Sequence, residues 1–365
     1  MILSGRARVV PAVAALVIVF GTPTPARADE VRDREWWLST LKVAEAQHIS
    51  KGAGVTVAVV DSGVNADHPD LKGAVLTGRD TVSGKDGQFD AEGHGTPMAG
   101  IIAARGRGRS GFLGIAPAAK ILPVRPSDDT MFAAAGIRWA AAHGAKVMNL
   151  SFAIGPSDNL HAAIREAAAA DVVLIGAVGN SGDRDNKAEY PVSYPEVLGV
   201  GAVDRTGKVL PVSQHGPQVD LVAPGKDMLL PVYGNKYLMG TGTSGSAAIV
   251  SGAAALIRAR HPDLSAAQVV RLMTSTATDL GTAGRDDYYG SGELNLVAAL
   301  TATPPRASPS PRSVAQAPAA ATPVPASGDG PGGGVPPLLI VAVGVALLVV
   351  AALAGIVRVR RAGAR

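Results

Sequence analysis

The sequence predicts a three-layer α/β domain with a parallel central sheet, and three observations carry that expectation. Apolar, largely β-branched runs recur between residues 52 and 302, Ala-rich stretches separate them, and the runs are continuously apolar rather than alternating. A strand that is apolar on both faces must be covered on both, which is the condition of a parallel sheet with crossover helices on either side. Strands are expected over residues 55–60, 120–124, 146–150, 171–178, 197–203 and 219–222, with helices over 130–143 and 160–170 between them. Ser265 and Gln268 open a late amphipathic helix as a capping box ahead of Val269, Val270, Leu272 and Met273. In such sheets, sites gather at the carboxyl ends of the strands.

Four short patches fall at those ends. Asp61 closes the first apolar run in Val60-Asp61-Ser62-Gly63. His94 stands between glycines in Gly93-His94-Gly95-Thr96 and opens an apolar helix, which sets it apart from the six other histidines. Asn180 ends the 171–178 run, and Ser244 lies in Gly242-Thr243-Ser244-Gly245 ahead of an Ala-rich helix. A serine hydroxyl attacks a carbonyl only when an imidazole takes its proton, a carboxylate orients that imidazole, and donors meet the oxyanion. Asp61, His94 and Ser244 fit the first three roles, and the Asn180 amide with the Ser244 N–H fits the last. Taken singly, Asp61 and Ser244 also read as helix caps and Asn180 as a turn residue. Four such coincidences, each glycine-framed, favour the joint reading. The acidic stretch from Asp86 to Glu92, close to His94, reads as a solvated loop.

The two ends of the chain are different in kind. Arg6 and Arg8 precede a short apolar run and Ala26-Arg27-Ala28, so residues 1–28 read as a signal peptide, with a retained anchor as the alternative. Residues 29–51 form an N-terminal extension, and 52–302 the main domain. Pro, Ala, Ser and Gly dominate 303–336, the composition of an extended linker. Residues 337–357 carry no charge, and a helix of that length spans roughly 30 Å, the thickness of the hydrocarbon core. The basic tail 358–365 follows, with Arg358, Arg360, Arg361 and Arg365, and should stay in the cytoplasm. The expectation is a single-pass protein of the cell membrane whose main domain lies outside. Without the tail and signal-peptide arginines the exported part is mildly acidic, so the pI of 9.4 gives no reason to expect nucleic acid as a partner. Absent cysteines exclude disulfides and thiolate metal sites. No cofactor is implied.

The order Asp, His, Asn, Ser resembles that of subtilisin-like serine proteases. Residues 52–300 resemble a subtilase catalytic domain in further stretches: Gly114-Ile115-Ala116-Pro117, Tyr190-Pro191-Val192-Ser193-Tyr194-Pro195, Asp220-Leu221-Val222-Ala223-Pro224-Gly225 and Tyr289-Gly290-Ser291-Gly292. Signal peptide, linker, C-terminal span and the Glu35-Trp36-Trp37-Leu38 lead-in together are similar to the mycosins, membrane-anchored subtilases of actinobacterial type VII secretion systems. That resemblance implies a subtilisin-like fold, a polypeptide substrate and a type VII secretion membrane complex as partner. It also implies a substrate lying as an added strand along residues 147–153 and 238–240. The pocket walls would come from Ser151, Phe152, Ala153, Ala177, Val178, Gly179 and Gly240. Subtilases often bind calcium, but no cluster with EF-hand-like spacing is visible.

The chain departs from the family pattern at Ser246 and Ala248, where Ala and Pro are usual, and at Ala153 and Val178, whose larger groups are expected to narrow the primary pocket. No catalytic group is lost, so activity is expected. The alternative is a catalytically weak or dispensable subunit that stabilises a secretion complex. The short extension predicts an ectodomain that folds without a removable pro-segment.

Overall fold

The computed structural model describes residues 28–107, 111–234 and 236–304. The expected signal peptide, all but its last residue, lies outside these, as do nearly all of the linker, the membrane span and the basic tail. Among the described residues, no helix is long and apolar enough to cross a membrane.

Seven parallel strands form the sheet: β1 (Thr56–Val60), β2 (Arg79–Asp80), β3 (Lys120–Arg125), β4 (Val147–Leu150), β5 (Val173–Ala177), β6 (Leu198–Val203) and β7 (Leu221–Pro224). Their spatial order is β2-β3-β1-β4-β5-β6-β7. β1 pairs with β3 on one side, Val57 opposite Ile121, and with β4 on the other, Val57 opposite Val147. After β1 the chain goes to the β2 edge, returns to β3 beside β1, and then crosses to β4 to build in the other direction. The crevice left at the carboxyl end of such a reversal is where α/β sheets bind ligands. All six strands expected from the sequence form, the last displaced by two residues. The two-residue β2 and an antiparallel ribbon of β8 (Met228–Val232) and β9 (Lys236–Gly240) were not foreseen. Both are too short or too mixed in pattern to signal themselves.

Side chains along the strands separate two cores. Val57, Val59, Ile121, Val147, Ile175, Val200 and Leu221 belong to one. Ala58, Val60, Leu122, Val124, Met148, Leu150 and Leu174 belong to the other. The period-two alternation of strand side chains thus feeds both faces with apolar groups, which is why the runs are continuous in sequence. The second core is closed by α5 (Thr130–Ala142) and α6 (Asp158–Ala169), each started by a side-chain cap, Asp129 and Ser157. The first is closed by α4 (Gly95–Ala103), α7 (Thr243–Arg260), α8 (Ala266–Ser275) and α9 (Leu296–Thr301). The expected capping box is present, the Ser265 hydroxyl accepting the Gln268 N–H and the Gln268 amide oxygen accepting the Ser265 N–H.

The N-terminal extension is part of this core. Its helices α1 (Ala28–Arg34), α2 (Trp37–Thr40) and α3 (Val43–Ile49) precede β1. Trp36, Trp37, Leu41, Val43 and Ala46 are buried with the residues of the first core, and Trp37 meets Phe112 at 5.9 Å between ring centroids. The Trp36 indole donates to Lys226 O at 3.1 Å, and the Ser50 hydroxyl to Leu256 O at 2.8 Å. Arg32 donates to Gly111 O at 2.7 Å, and the Gln47 amide to Gly114 O and Ile115 O.

Candidate active site

Asp61 follows β1 directly, and the half-buried His94 is the N-cap of α4. The His94 Nδ1 lies 2.8 Å and 2.9 Å from the two Asp61 carboxylate oxygens. The Asp61 side chain is buried, while 21% of the His94 side chain meets solvent. Nδ1 is thus held by carboxylate and Nε2 is left to act toward the open side. Burial is the largest influence on His94 and favours its neutral form, but the charge and hydrogen bond of Asp61, then the charges of Asp90 and Glu92, outweigh it. The net effect raises the His94 pKa above the ordinary histidine value.

Glycines let these two elements touch. A Cβ on Gly95 would stand 2.0 Å from Gly63 O, so the first turn of α4 can press on the end of β1 only without a side chain there. Gly63 itself has φ +105°, and a Cβ on it would lie 2.0 Å from Phe89 O.

The acidic loop is not wholly solvated, contrary to the sequence reading. Ala91 and Glu92 are exposed, but Asp90 is buried and caps α4. Its Oδ1 accepts the Gly93 N–H at 2.9 Å and the Ser62 hydroxyl at 2.6 Å, and its Oδ2 accepts the Thr96 N–H at 2.8 Å. The Ser62 oxygen in turn accepts the His94 and Gly95 N–H groups at 3.3 and 3.0 Å. Asp61 accepts the Ser62 N–H at 2.7 Å. Sequence reasoning missed Ser62 and Asp90. The signal was a carboxylate four residues before His94, within one turn of the helix that His94 opens.

Ser244 is the second residue of α7 and buried, at the end where unpaired backbone N–H groups favour negative charge. Asn180 follows β5. Its amide oxygen accepts the Thr243 N–H at 2.9 Å and the Thr243 hydroxyl at 3.2 Å, while the Gly179 N–H donates to the Thr243 hydroxyl at 3.2 Å. With its oxygen anchored on the residue before Ser244, the Asn180 carboxamide presents its NH2 as the remaining donor. Thr243 is the positioning residue that the sequence reading passed over. The structure therefore brings Asp61 to His94 and Asn180 to the α7 start, and α4 packs against α7.

Two of the expected pocket features need correction. Val178 is wholly buried in the second core, so its side chain cannot narrow a pocket. β4 is paired on both sides, to β1 and β5, so no substrate strand can be added along residues 147–150. Free backbone begins beyond the strand end at Ser151. There the Ser151 hydroxyl turns inward, donating to Asn149 Oδ1 at 3.0 Å, while Phe152 and Ala153 are half-buried. Gly240 is buried at the end of β9, opposite Met228, and a Cβ there would meet Leu230 at 2.5 Å. Ala177 is the last residue of β5, and Gly179 keeps φ +109° beside Asn180.

The departures in α7 have a packing role. The buried Ser246 hydroxyl lies 2.9 Å from Ala223 O and 3.1 Å from Pro224 O, tying the helix to the end of β7. Ala248 is buried in the first core. Among the described residues, no group of three or more His, Asp or Glu side chains is arranged to hold a metal ion.

A model of the subtilase family, Peptidase_S8, matches residues 52–292. Subtilisin DY of Bacillus licheniformis is 40% identical over 258 residues, covering 68% of this chain and 92% of the relative. The structure of MycP1 from the ESX-1 type VII secretion system aligns with TM-score 0.68 at 32% identity, over 81% of this chain and 91% of that one. MycP3 protease from the type VII (ESX-3) secretion system aligns with TM-score 0.66 at 32% identity, over 79% and 93%. The chain belongs to the subtilase family and is a subtilisin-type serine endopeptidase.

Proposed function

We propose that this subtilase is a membrane-anchored, extracytoplasmic endopeptidase that cleaves polypeptides through an acyl-enzyme, in association with a type VII secretion complex. The carrying observation is the pair of fixed hydrogen-bonding units, Asp61–His94 at the end of β1 and Asn180–Thr243 at the start of α7. Ser244 Oγ attacks the scissile carbonyl as His94 Nε2 takes its proton, and Asp61 holds Nδ1–H and steadies the imidazolium. The oxyanion is met by the Asn180 NH2 and the Ser244 N–H. Collapse of the tetrahedral intermediate breaks the C–N bond, and the imidazolium returns its proton to the leaving amine. Water then repeats the sequence on the ester, giving its proton to His94 and releasing Ser244.

The membrane setting rests on the uncharged residues 337–357 with four arginines after them, and the secretion setting on likeness to MycP1 and MycP3. Labelling of the full-length chain, solubilised in detergent, with a fluorophosphonate tests the chemistry. Covalent labelling lost in Ser244→Ala is the expected result, and an unlabelled wild-type chain would refute the triad. Protease protection of intact cells tests the topology, the main domain being expected accessible from outside and the tail not.

A further inference from the structure

Beside the proposed oxyanion donor stands a carboxylate that the mechanism does not use. Glu189 is half-buried, and its Oε2 lies 2.7 Å from the point a Cβ would occupy on Gly179, the residue before Asn180. Glycine at 179 is what lets the carboxylate come against this backbone. Oε1 is held by the Gln214 amide at 2.8 Å, which also donates to the Ser181 hydroxyl at 2.7 Å. Gln214 is buried, and its own N–H donates to Gly179 O at 3.1 Å, so the carboxylate is mounted on a fixed frame. Among the described residues, no lysine or arginine forms an ion pair with Glu189. The nearby Arg184 donates instead to Asn180 O at 2.9 Å and pairs with Asp183. Burial raises the Glu189 pKa and the charge of Asp185 adds to it, while the Gln214 hydrogen bond and the charge of Arg184 lower it; the net direction is upward.

The position of this group relative to the chemistry selects its ligand. Once a carbonyl oxygen is held by Asn180 and Ser244 N–H, the residue bearing that carbonyl lies against the segment from Ala177 to Gly179. Its side chain departs from the atom next to the carbonyl carbon and runs along that segment. Across Gly179 stands Oε2, which accepts no side-chain hydrogen bond among the described residues. We propose that Glu189 is a specificity determinant that reads a lysine or arginine side chain on the acyl-side residue of the scissile bond. Long basic side chains suit the place, since an apolar stem can lie along the Ala177–Gly179 backbone while the charged head reaches the carboxylate. An uncharged side chain leaves the half-buried carboxylate unpaired, and an acidic one repels it. The flank toward His94 agrees in sign. Glu92 and Asp90 lie within electrostatic reach of His94, so the flank of the site around His94 is also anionic.

This inference rests on the acyl-enzyme reading, and its test separates the two. The full-length chain in detergent is titrated with a fluorophosphonate. It is then assayed on fluorogenic peptides differing only in the acyl-side residue: arginine, lysine, citrulline, leucine or glutamate. The wild type should favour arginine over its uncharged isostere citrulline by about tenfold or more in kcat/KM, equal to about 1.4 kcal/mol. Glu189→Gln should keep its labelling and lose that ratio, and Glu189→Lys should shift preference to glutamate. A labelled wild type that cleaves arginine and citrulline peptides equally, or a Glu189→Gln chain that keeps the ratio, overturns the proposal while leaving the triad standing. A wild type that does not label overturns both.

Discussion

Replacing Asp90 by asparagine should lower both stability and rate and move the acid limb of the rate profile to lower pH. The carboxylate accepts three hydrogen bonds through two oxygens, Ser62 and Gly93 on one and Thr96 on the other. An amide has one acceptor oxygen. Placed to keep Ser62 and Gly93, it turns an NH2 toward the Thr96 N–H, and Thr96 is buried. A buried donor left unpaired costs about 1–3 kcal/mol, and loss of a helix cap typically about 1 kcal/mol. These describe the same bond, so the expected loss is about 2 kcal/mol, within the roughly 5–15 kcal/mol of a folded domain. If half of it appears as poorer placement of Ser62 and His94, kcat/KM falls about fivefold. Asp90 is also one of the three charges that raise the His94 pKa. Its removal lets burial count for more, so His94 loses its proton at lower pH and the acid limb follows. The assays are urea denaturation and kcat/KM across pH 5–9 with active-site titration. An acid limb that stays in place, with an unchanged urea midpoint, would refute the assignment of Asp90 as a positioning residue.

Asn180→Leu should fold as the wild type does and lower kcat by about 10²–10³, the magnitude known for subtilisin; an unchanged kcat would remove Asn180 from the oxyanion site. Ser246→Ala should cost about 1 kcal/mol in urea denaturation and leave kcat/KM within about twofold, because its hydroxyl bonds Ala223 O and Pro224 O and not the reacting groups. Trp37→Ala should destabilise the domain by about 3–5 kcal/mol, since the side chain is wholly buried in the first core. Glu35 gives that same segment a pH dependence. Burial, opposed by its hydrogen bond from Leu113 N–H and by Arg32, raises its pKa to about 8. The folded state then binds a proton that the unfolded state has lost, so this contribution to stability is full below about pH 4.5 and is lost as pH rises through about 8. Urea midpoints measured from pH 5 to 8 should fall in the wild type and flatten in Glu35→Gln.

Much of the fold was legible because both faces of each main strand are buried, so continuous apolar runs mark β1 and β3 to β7 without ambiguity. The ribbon of β8 and β9 escaped for the converse reason: Lys236, Tyr237, Leu238 and Met239 are exposed or half-buried, and no regular period links them to a core. The extension escaped because its helices are short and their apolar residues pack on distant partners. Its polar groups do the same, Trp36, Ser50 and Gln47 donating to the carbonyls of Lys226, Leu256 and Gly114, which residues 28–50 cannot foretell. At the site, groups with their own chemistry stand out in the sequence, and groups that act by holding others do not. Asp61 and His94 stand out by residue type and glycine framing. Ser62, Asp90 and Thr243 look like ordinary loop and cap residues until their hydrogen bonds are seen.

Those three residues explain how the four groups of the proposed mechanism, carried on four separate elements, are held in place. Asp61 and Asn180 follow the ends of β1 and β5, where the sheet fixes backbone position but not the side chains that project into the crevice. His94 and Ser244 begin α4 and α7, where the first N–H groups have no partner within the helix. The structure uses each unmet need to satisfy another. At one junction the N–H groups of His94, Gly95 and Thr96 are taken up by Ser62 and Asp90, which ties α4 to the β1 end carrying Asp61. At the other, the Thr243 N–H is taken up by the Asn180 oxygen, which ties α7 to the β5 end and turns the free NH2 outward. Helix capping and positioning of the proposed catalytic groups are therefore the same hydrogen bonds. It follows that Ser246 and Ala248, which take part in neither junction, can change without disturbing either pair.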